Sequence, residues 1–186
     1  MIVIGITGSI ASGKTTGAKL ISKKKYPLFS ADKIVSDLYK KTIFIKLLSR
    51  KFNLNSRQKV KNQIKLIIKA DKNKLKTLES VIHPLVRKKM KNFLKLKNKI
   101  LVLEVPLLTE NKLNKYFDKI IFVDAKKSLR LKRYSKHNKE KKIFEILNKR
   151  QLSSTIKKKT CDLTINNNYS LVTLKKNIKK FIKTYE

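Results

Sequence analysis

The spacing of apolar residues changes several times along the chain, and each change marks an element. Met1 to Thr7 is a short apolar run rich in β-branched residues, which predicts a strand buried on both faces. From Lys14 to about Lys24, Thr15, Ala18, Leu20 and Ile21 fit a helix, and Pro27 to Ser30 reads as a second strand ending at Ala31-Asp32. Between Asp32 and Asn98 the period becomes helical: Ile64, Ile67, Ile68, Leu75, Leu78, Ile82, Leu85, Val86, Met90 and Phe93 recur at threes and fours. Pro84 is expected to start or kink a helix there. Two apolar runs follow, Ile100 to Leu103 closed by Glu104, and Ile120 to Val123 closed by Asp124. A charged helical stretch from Ser128 to about Lys158 precedes a last strand at Cys161 to Ile165 and a loop at Asn166 to Asn168. The final helix carries Leu171, Leu174, Ile178, Phe181, Ile182 and Tyr185 on one face and lysines opposite.

Strands alternating with helices imply an α/β protein built on a parallel, doubly wound sheet. The helical section, about 42–98, then reads as an insertion in a single domain whose core is about 1–41 and 99–186. Glu104 and Asp124 each end a buried strand, at the sheet edge where open α/β folds place ligands.

Composition adds less than its extremes suggest. The 186 residues and 41% hydrophobic content suffice for a core, while 48 basic against 12 acidic residues give a net charge of +36. Of the basic residues 42 are Lys and 6 are Arg. Residues 1–93 carry a net +19 and residues 94–186 a net +17, so no basic arm stands out. Base recognition through bidentate contacts would favour Arg, and the abundance of Lys, Ile and Asn fits a genome rich in A and T. The densest run, Arg87 to Lys99, reads as a solvated helical face. With a short opening apolar run and no stretch long enough to span a bilayer, the expectation is a soluble cytoplasmic protein. A single cysteine, Cys161, fits a reducing compartment, and two separated histidines, His83 and His137, argue against zinc.

The chemistry is concentrated near the N-terminus. All 4 glycines, Gly5, Gly8, Gly13 and Gly17, fall within the first 17 positions. Gly8-Ser-Ile-Ala-Ser-Gly13-Lys14-Thr15 matches G-x-x-x-x-G-K-[ST], the phosphate-binding loop, between a predicted strand and a predicted helix. Glycine lets successive backbone N–H groups turn inward around phosphate oxygens, and the helix N-terminus adds partial positive charge. Gly8, Ala11, Ser12, Gly13, Lys14, Thr15 and Thr16 are therefore the candidate nucleotide-binding residues. Lys14 reaches the β and γ phosphates, Thr15 offers a hydroxyl to Mg²⁺, and Thr16 serves the α phosphate. Glu104 is either a second Mg²⁺ residue or a structural carboxylate.

Further segments carry a more specific likeness. Ser30-Ala-Asp32, Val81-Ile-His-Pro-Leu-Val86, Val105-Pro-Leu-Leu-Thr-Glu-Asn111 and Leu131-Lys-Arg133 resemble the dephospho-CoA kinase family in order and spacing across nearly the whole chain, as do Gln151 and Asp162 to Asn167. The resemblance implies transfer of the ATP γ-phosphoryl group to the 3′-hydroxyl of dephospho-CoA, the last step of coenzyme A synthesis. It also implies a P-loop core, a helical CoA-binding section near 42–98 and a lid near 133–151.

Residue by residue, it makes Asp32 the general base, with a helix N-cap as the alternative. It makes Arg133 a lid cation that neutralises the moving phosphoryl group, against a surface salt bridge. His83, Pro106 and Leu107 become substrate residues, with packing or capping as the alternative for His83. The chain departs from the family where Ser30 replaces a first Asp, where a Pro-Gly is missing at Tyr39-Lys-Lys41, and where later lid arginines fall near His137 and Leu147, so that Arg150 or Lys136 would substitute. The expected protein is a monomer acting on a small molecule with ATP and Mg²⁺. Its rivals are another small-molecule kinase of this fold and an ATP-switched nucleic-acid-binding protein.

Overall fold

Five apolar runs become strands, in chain order β1 (Ile2–Gly8), β2 (Leu28–Ser30), β3 (Ile100–Glu104), β4 (Lys119–Asp124) and β5 (Leu163–Asn166). The helices are α1 (Lys14–Ser22), α2 (Ala31–Leu38), α3 (Thr42–Phe52), α4 (Val60–Ala70), α5 (Lys74–Phe93), α6 (Lys127–Ser135), α7 (Lys141–Arg150), α8 (Ser154–Lys159) and α9 (Leu171–Ile182). The structure, a computed structural model, describes residues 1–23, 25–55, 59–136 and 140–185. His137, and parts of the expected helical section (56–58) and lid (137–139), lie outside the described residues.

The chain divides into two compact units, one made of residues 1–30 and 94–186 and the other of residues 31–93. In the first, the strands form one parallel sheet in the order β2-β3-β1-β4-β5. The doubly wound parallel sheet expected from the pattern is therefore present. Every residue of β3 is buried, as an unbroken apolar run demands. Ala18 and Ile21 of α1 and Leu174, Ile178 and Ile182 of α9 join Ile4, Ile6, Val102, Ile121 and Val123 in one apolar cluster. The register pairs Ile6 with Glu104 and Ser30 with Glu104, so the carboxyl ends of β1, β2 and β3 share one edge. Strand order reverses at β1, and the glycine loop leaves from that switch point.

Several boundaries differ from expectation for local reasons. The charged stretch after β4 divides into three helices rather than running as one. β5 begins at Leu163, after Asp162, whose carboxylate accepts the Ile120 N–H at 2.7 Å and helps to fix the start of β4. Leu171, the first residue of α9, is 52% exposed although the sequence places it on the apolar stripe.

The second unit consists of α2 to α5. Of the residues in the helical spacing read from the sequence, Ile64, Ile68, Leu75, Ile82 and Met90 are buried, as are Phe44, Leu48 and Val60, which that reading did not include, and Tyr39 meets Phe44 edge to face at 5.3 Å between centroids. Pro84 lies inside α5 instead of starting it. The carbonyl that loses its donor there belongs to the exposed Ser80, where water can reach it. Among the described residues no helix is long and apolar enough to cross a membrane.

Candidate active site

The loop between β1 and α1 adopts backbone that few sequences allow. Ala11 has φ 58° and Gly13, at the N-cap of α1, has φ 98°. A Cβ on Gly13 would run into the side-chain amide of Asn167, and one on Gly8 would lie 2.5 Å from Ser12 Oγ and 2.6 Å from the Val123 carbonyl. Glycine is required at these two positions. Gly17 is different: its nearest neighbour would be Val123 Cγ2 at 3.4 Å, an ordinary contact.

Four side chains from the C-terminal half of the chain hold this loop. Gln151 Oε1 accepts the Ile10 N–H at 2.8 Å, and Arg130 Nη1 donates to the Ile10 carbonyl at 3.4 Å. Asn167 Nδ2 donates to the Ser12 carbonyl at 2.8 Å. Arg133 donates through Nη2 to the Asn167 carbonyl at 2.8 Å and through Nη1 to the Ser12 carbonyl at 3.5 Å. Arg130 is 6% exposed and also donates to the Ala125 carbonyl and to Asn148 Oδ1. Burial lowers its pKa, opposed by the charges of Asp124 and Glu145. The buried Ser12 hydroxyl has no hydrogen-bond partner among the described residues. An unpaired buried donor within the loop fits a phosphate oxygen.

Lys14 opens α1 and is 8% exposed. Thr15 and Thr16 follow it in the first turn, both exposed. Glu104 is fully buried at the end of β3. Its Oε1 accepts a short hydrogen bond from Thr15 Oγ1, and its Oε2 accepts the Ser30 hydroxyl at 2.7 Å. The replacement of a carboxylate by Ser30 therefore supplies a donor to Glu104. A carboxylate and two hydroxyls are hard oxygen ligands of the kind that Mg²⁺ accepts alongside phosphate and water. Asp124 by contrast binds Lys158 at 2.8 Å and accepts from Ser154 Oγ at 3.3 Å, a structural use.

Beyond β3 the segment carrying Pro106 and Leu107 is folded on itself, with Asn111 donating to the Leu107 carbonyl through its backbone and through Nδ2. Thr7 Oγ1 donates to the Pro106 carbonyl at 3.1 Å. Lys157 of α8 is fully buried and binds Glu110 Oε1 at 2.7 Å. Burial lowers the pKa of its ammonium, Glu110 opposes that shift, and the positive charge of Lys14 adds to it.

Asp32 and His83 belong to the second unit. Asp32 is exposed in the first turn of α2, two residues after Ser30, so it follows the helix start instead of capping it. His83 is half-buried in the interior of α5, which removes a helix-boundary role. The first unit thus joins the loop to Glu104 through Thr15 and to Arg133 through Ser12, and ties Pro106 to Thr7 of β1, while Leu107 lies in the same segment with its carbonyl held by Asn111. Sequence reasoning missed Asn167, Arg130 and Lys157. Asn167 had one available signal, its place in the closing segment that resembles the family; the other two are indistinguishable in sequence from surface cations.

Comparison with known proteins supplies the remaining information. The family model for dephospho-CoA kinase matches residues 2–173. A dephospho-CoA kinase of Bartonella quintana is 37% identical over 173 residues, covering 89% of this chain and 89% of that protein. A crystal structure from Thermus thermophilus is similar with a TM-score of 0.78 at 26% identity, covering 100% of this chain and 98% of that one. A dephospho-CoA kinase structure from Campylobacter jejuni is similar in fold, with a TM-score of 0.65 at 24% identity over 99% of this chain and 97% of that one.

Proposed function

Because the chain belongs to the dephospho-CoA kinase family, we propose a residue-level account of how it moves the ATP γ-phosphoryl group to the 3′-hydroxyl of dephospho-CoA, the last step of coenzyme A synthesis. The observation that carries the account is the braced glycine loop with Glu104 held between Thr15 and Ser30. Loop amides and Ser12 bind the phosphates, with the charge of the α1 N-terminus behind them. Lys14 follows negative charge from the β,γ bridge as it develops on the leaving ADP oxygen. Thr15 and Glu104 would hold Mg²⁺ or its waters, and the bound ion would neutralise phosphate charge.

Asp32 accepts the proton of the 3′-hydroxyl as that oxygen bonds to the γ-phosphorus and the bond to the β,γ bridging oxygen breaks. Its support is the family resemblance together with its place two residues after Ser30. Arg133 leaves the carbonyls it now holds to meet the transferring phosphoryl group, as a lid near 133–151 closes and excludes water. On the family resemblance Pro106 and Leu107 bind the acceptor, His83 is assigned to the substrate on the same ground, and the helical section near 42–98 accommodates the rest of CoA. The same reading makes the enzyme cytoplasmic and monomeric, the latter open to a light-scattering mass.

Purified protein given Mg-ATP with dephospho-CoA, adenosine monophosphate and nucleosides in parallel should phosphorylate dephospho-CoA. Asp32→Asn should lower kcat by about a hundredfold or more and leave ATP affinity within about twofold. Wild-type turnover in that variant would remove the base assignment.

A further inference from the structure

Lys157 is one of three consecutive lysines in α8, and alone among them its side chain is fully buried. A buried ammonium needs compensation, because burial strips the water that stabilises its charge. Lys157 has the Glu110 carboxylate at 2.7 Å and the Pro106 carbonyl at 3.4 Å. Neither partner is near it in sequence, so the pair fixes tertiary structure.

The same atoms close a ring. Thr7 Oγ1 donates to the Pro106 carbonyl at 3.1 Å, and Lys157 Nζ donates to the same carbonyl. Lys157 binds Glu110 Oε1, which also accepts the Leu152 N–H at 3.0 Å. The neighbouring Gln151 accepts the Ile10 N–H at 2.8 Å. The backbone from Ile10 back to Thr7 completes the circuit. One side of the ring is the phosphate loop, and the other is the segment that bears Pro106 and Leu107.

The geometry points to Lys157 as a positioning residue for phosphoryl transfer, joined with Glu110 into a ring that sets the acceptor-side segment 105–111 against the phosphate loop. The inference rests on the reading that Pro106 and Leu107 bind the acceptor. Lys157 touches no reacting atom in this role. It holds a backbone carbonyl at the start of the segment and a carboxylate near its end, so that Leu107 between them has a defined place. Removing the ammonium frees the Pro106 carbonyl on one side and leaves Glu110 Oε1 with the Leu152 N–H alone. Gln151 still holds Ile10, and Asn167 still holds Ser12, so the nucleotide cradle stays formed. The effect should therefore divide between the two substrates.

The test is the steady-state kinetics of coenzyme A formation, with ATP affinity measured separately by equilibrium titration. Lys157→Met keeps the aliphatic stem and loses the charge; it should raise KM for dephospho-CoA about tenfold with ATP affinity within about twofold. Because that variant leaves a buried carboxylate short of a partner, Lys157→Met with Glu110→Gln serves as the charge-free control. The double variant should regain thermal stability and keep the raised KM, a combination that a purely structural ion pair would not produce. An unchanged KM in Lys157→Met, or a KM restored to the wild-type value in the double variant, would overturn the inference. Leu107→Ala separates it from the reading beneath it. An unchanged KM there refutes the acceptor assignment of this segment and the ring's role with it. A raised KM in Leu107→Ala beside an unchanged one in Lys157→Met refutes the role of Lys157 alone.

Discussion

Thr15, in the first turn after the phosphate loop, donates its hydroxyl to Glu104, the last residue of β3 and fully buried. Ser30 donates to the other oxygen of the same carboxylate. Glu104 can accept both because an ionised carboxylate is an acceptor on each oxygen. In Glu104→Gln one of those positions becomes an NH₂ group facing a hydroxyl, and the charge that would attract Mg²⁺ is lost. We expect kcat/KM with Mg-ATP to fall by about a hundredfold, with a higher Mg²⁺ concentration needed for half-maximal rate. A Mg²⁺ titration of turnover reads both effects, and the variant's circular dichroism should match that of the wild type.

Gly13 in the loop and Gly17 in the helix after it should respond oppositely to alanine. At Gly13 the new Cβ meets the Asn167 amide on a backbone with φ 98°, so Gly13→Ala both collides and strains. A penalty of about 2 kcal/mol would weaken ATP binding about thirtyfold. At Gly17, inside α1, the Cβ makes only ordinary contact with Val123, and alanine is a better helix former by about 1 kcal/mol. Gly17→Ala should raise the melting temperature and leave ATP affinity unchanged. Thermal melts and ATP titrations on the pair check the contrast.

The difference between these glycines also shows how far the sequence can be read. Strands β1, β3 and β4 were legible because burial on both faces forces an unbroken apolar run, and the loop because its motif lies between a strand and a helix. Four glycines lie within seventeen positions; the structure separates close approach at Gly8 and Gly13 from simple tolerance at Gly17. The bracing contacts themselves were not legible, although Arg133, Gln151 and Asn167 lie in segments that resemble the family. Asn167 stands among three consecutive asparagines, and nothing local marks the one whose side chain reaches Ser12. Lys157 is one of 42 lysines, and its burial depends on Glu110, 47 positions earlier. Such partners are set by tertiary packing, which local pattern does not encode.

Tyr39, in the second unit, should make stability fall at alkaline pH. Burial raises its phenol from 10.0 to about 12. In the window between those values the native chain holds a proton that the unfolded chain has released, so stability declines as pH rises through it. The contribution is intact below the unfolded value and is lost toward the folded one. Tyr39→Phe keeps the ring against Phe44 and removes the titration. The gap in melting temperature between wild type and Tyr39→Phe should therefore shift in favour of the variant between about pH 9 and about pH 11. A gap that stays constant across that range would contradict the shift.

Asn167 and Arg133 both reach the Ser12 carbonyl, but their removal should have different consequences. Asn167 donates to it at 2.8 Å from a nearly buried side chain, whereas the Arg133 contact is 3.5 Å and accompanies a shorter one to the Asn167 carbonyl. Asn167→Ala thus removes the principal hydrogen bond of a carbonyl next to Gly13, worth about 1 kcal/mol or somewhat more. The loss falls on loop geometry before any phosphate arrives, so ATP affinity should drop about tenfold with a smaller change in kcat. Arg133→Ala leaves that hydrogen bond in place and takes away the cation proposed to meet the transferring group. Its kcat should fall by about a hundredfold or more, with ATP affinity within about threefold. Adding Asn167→Ala to Gly13→Ala relieves the collision but leaves the φ strain and also removes the Asn167 hydrogen bond, so the two losses of ATP affinity should combine to less than their product. A double variant that binds ATP as well as Asn167→Ala alone would mean that φ at Gly13 carries no cost, and losses that simply multiply would mean that the Asn167 amide was never the obstacle.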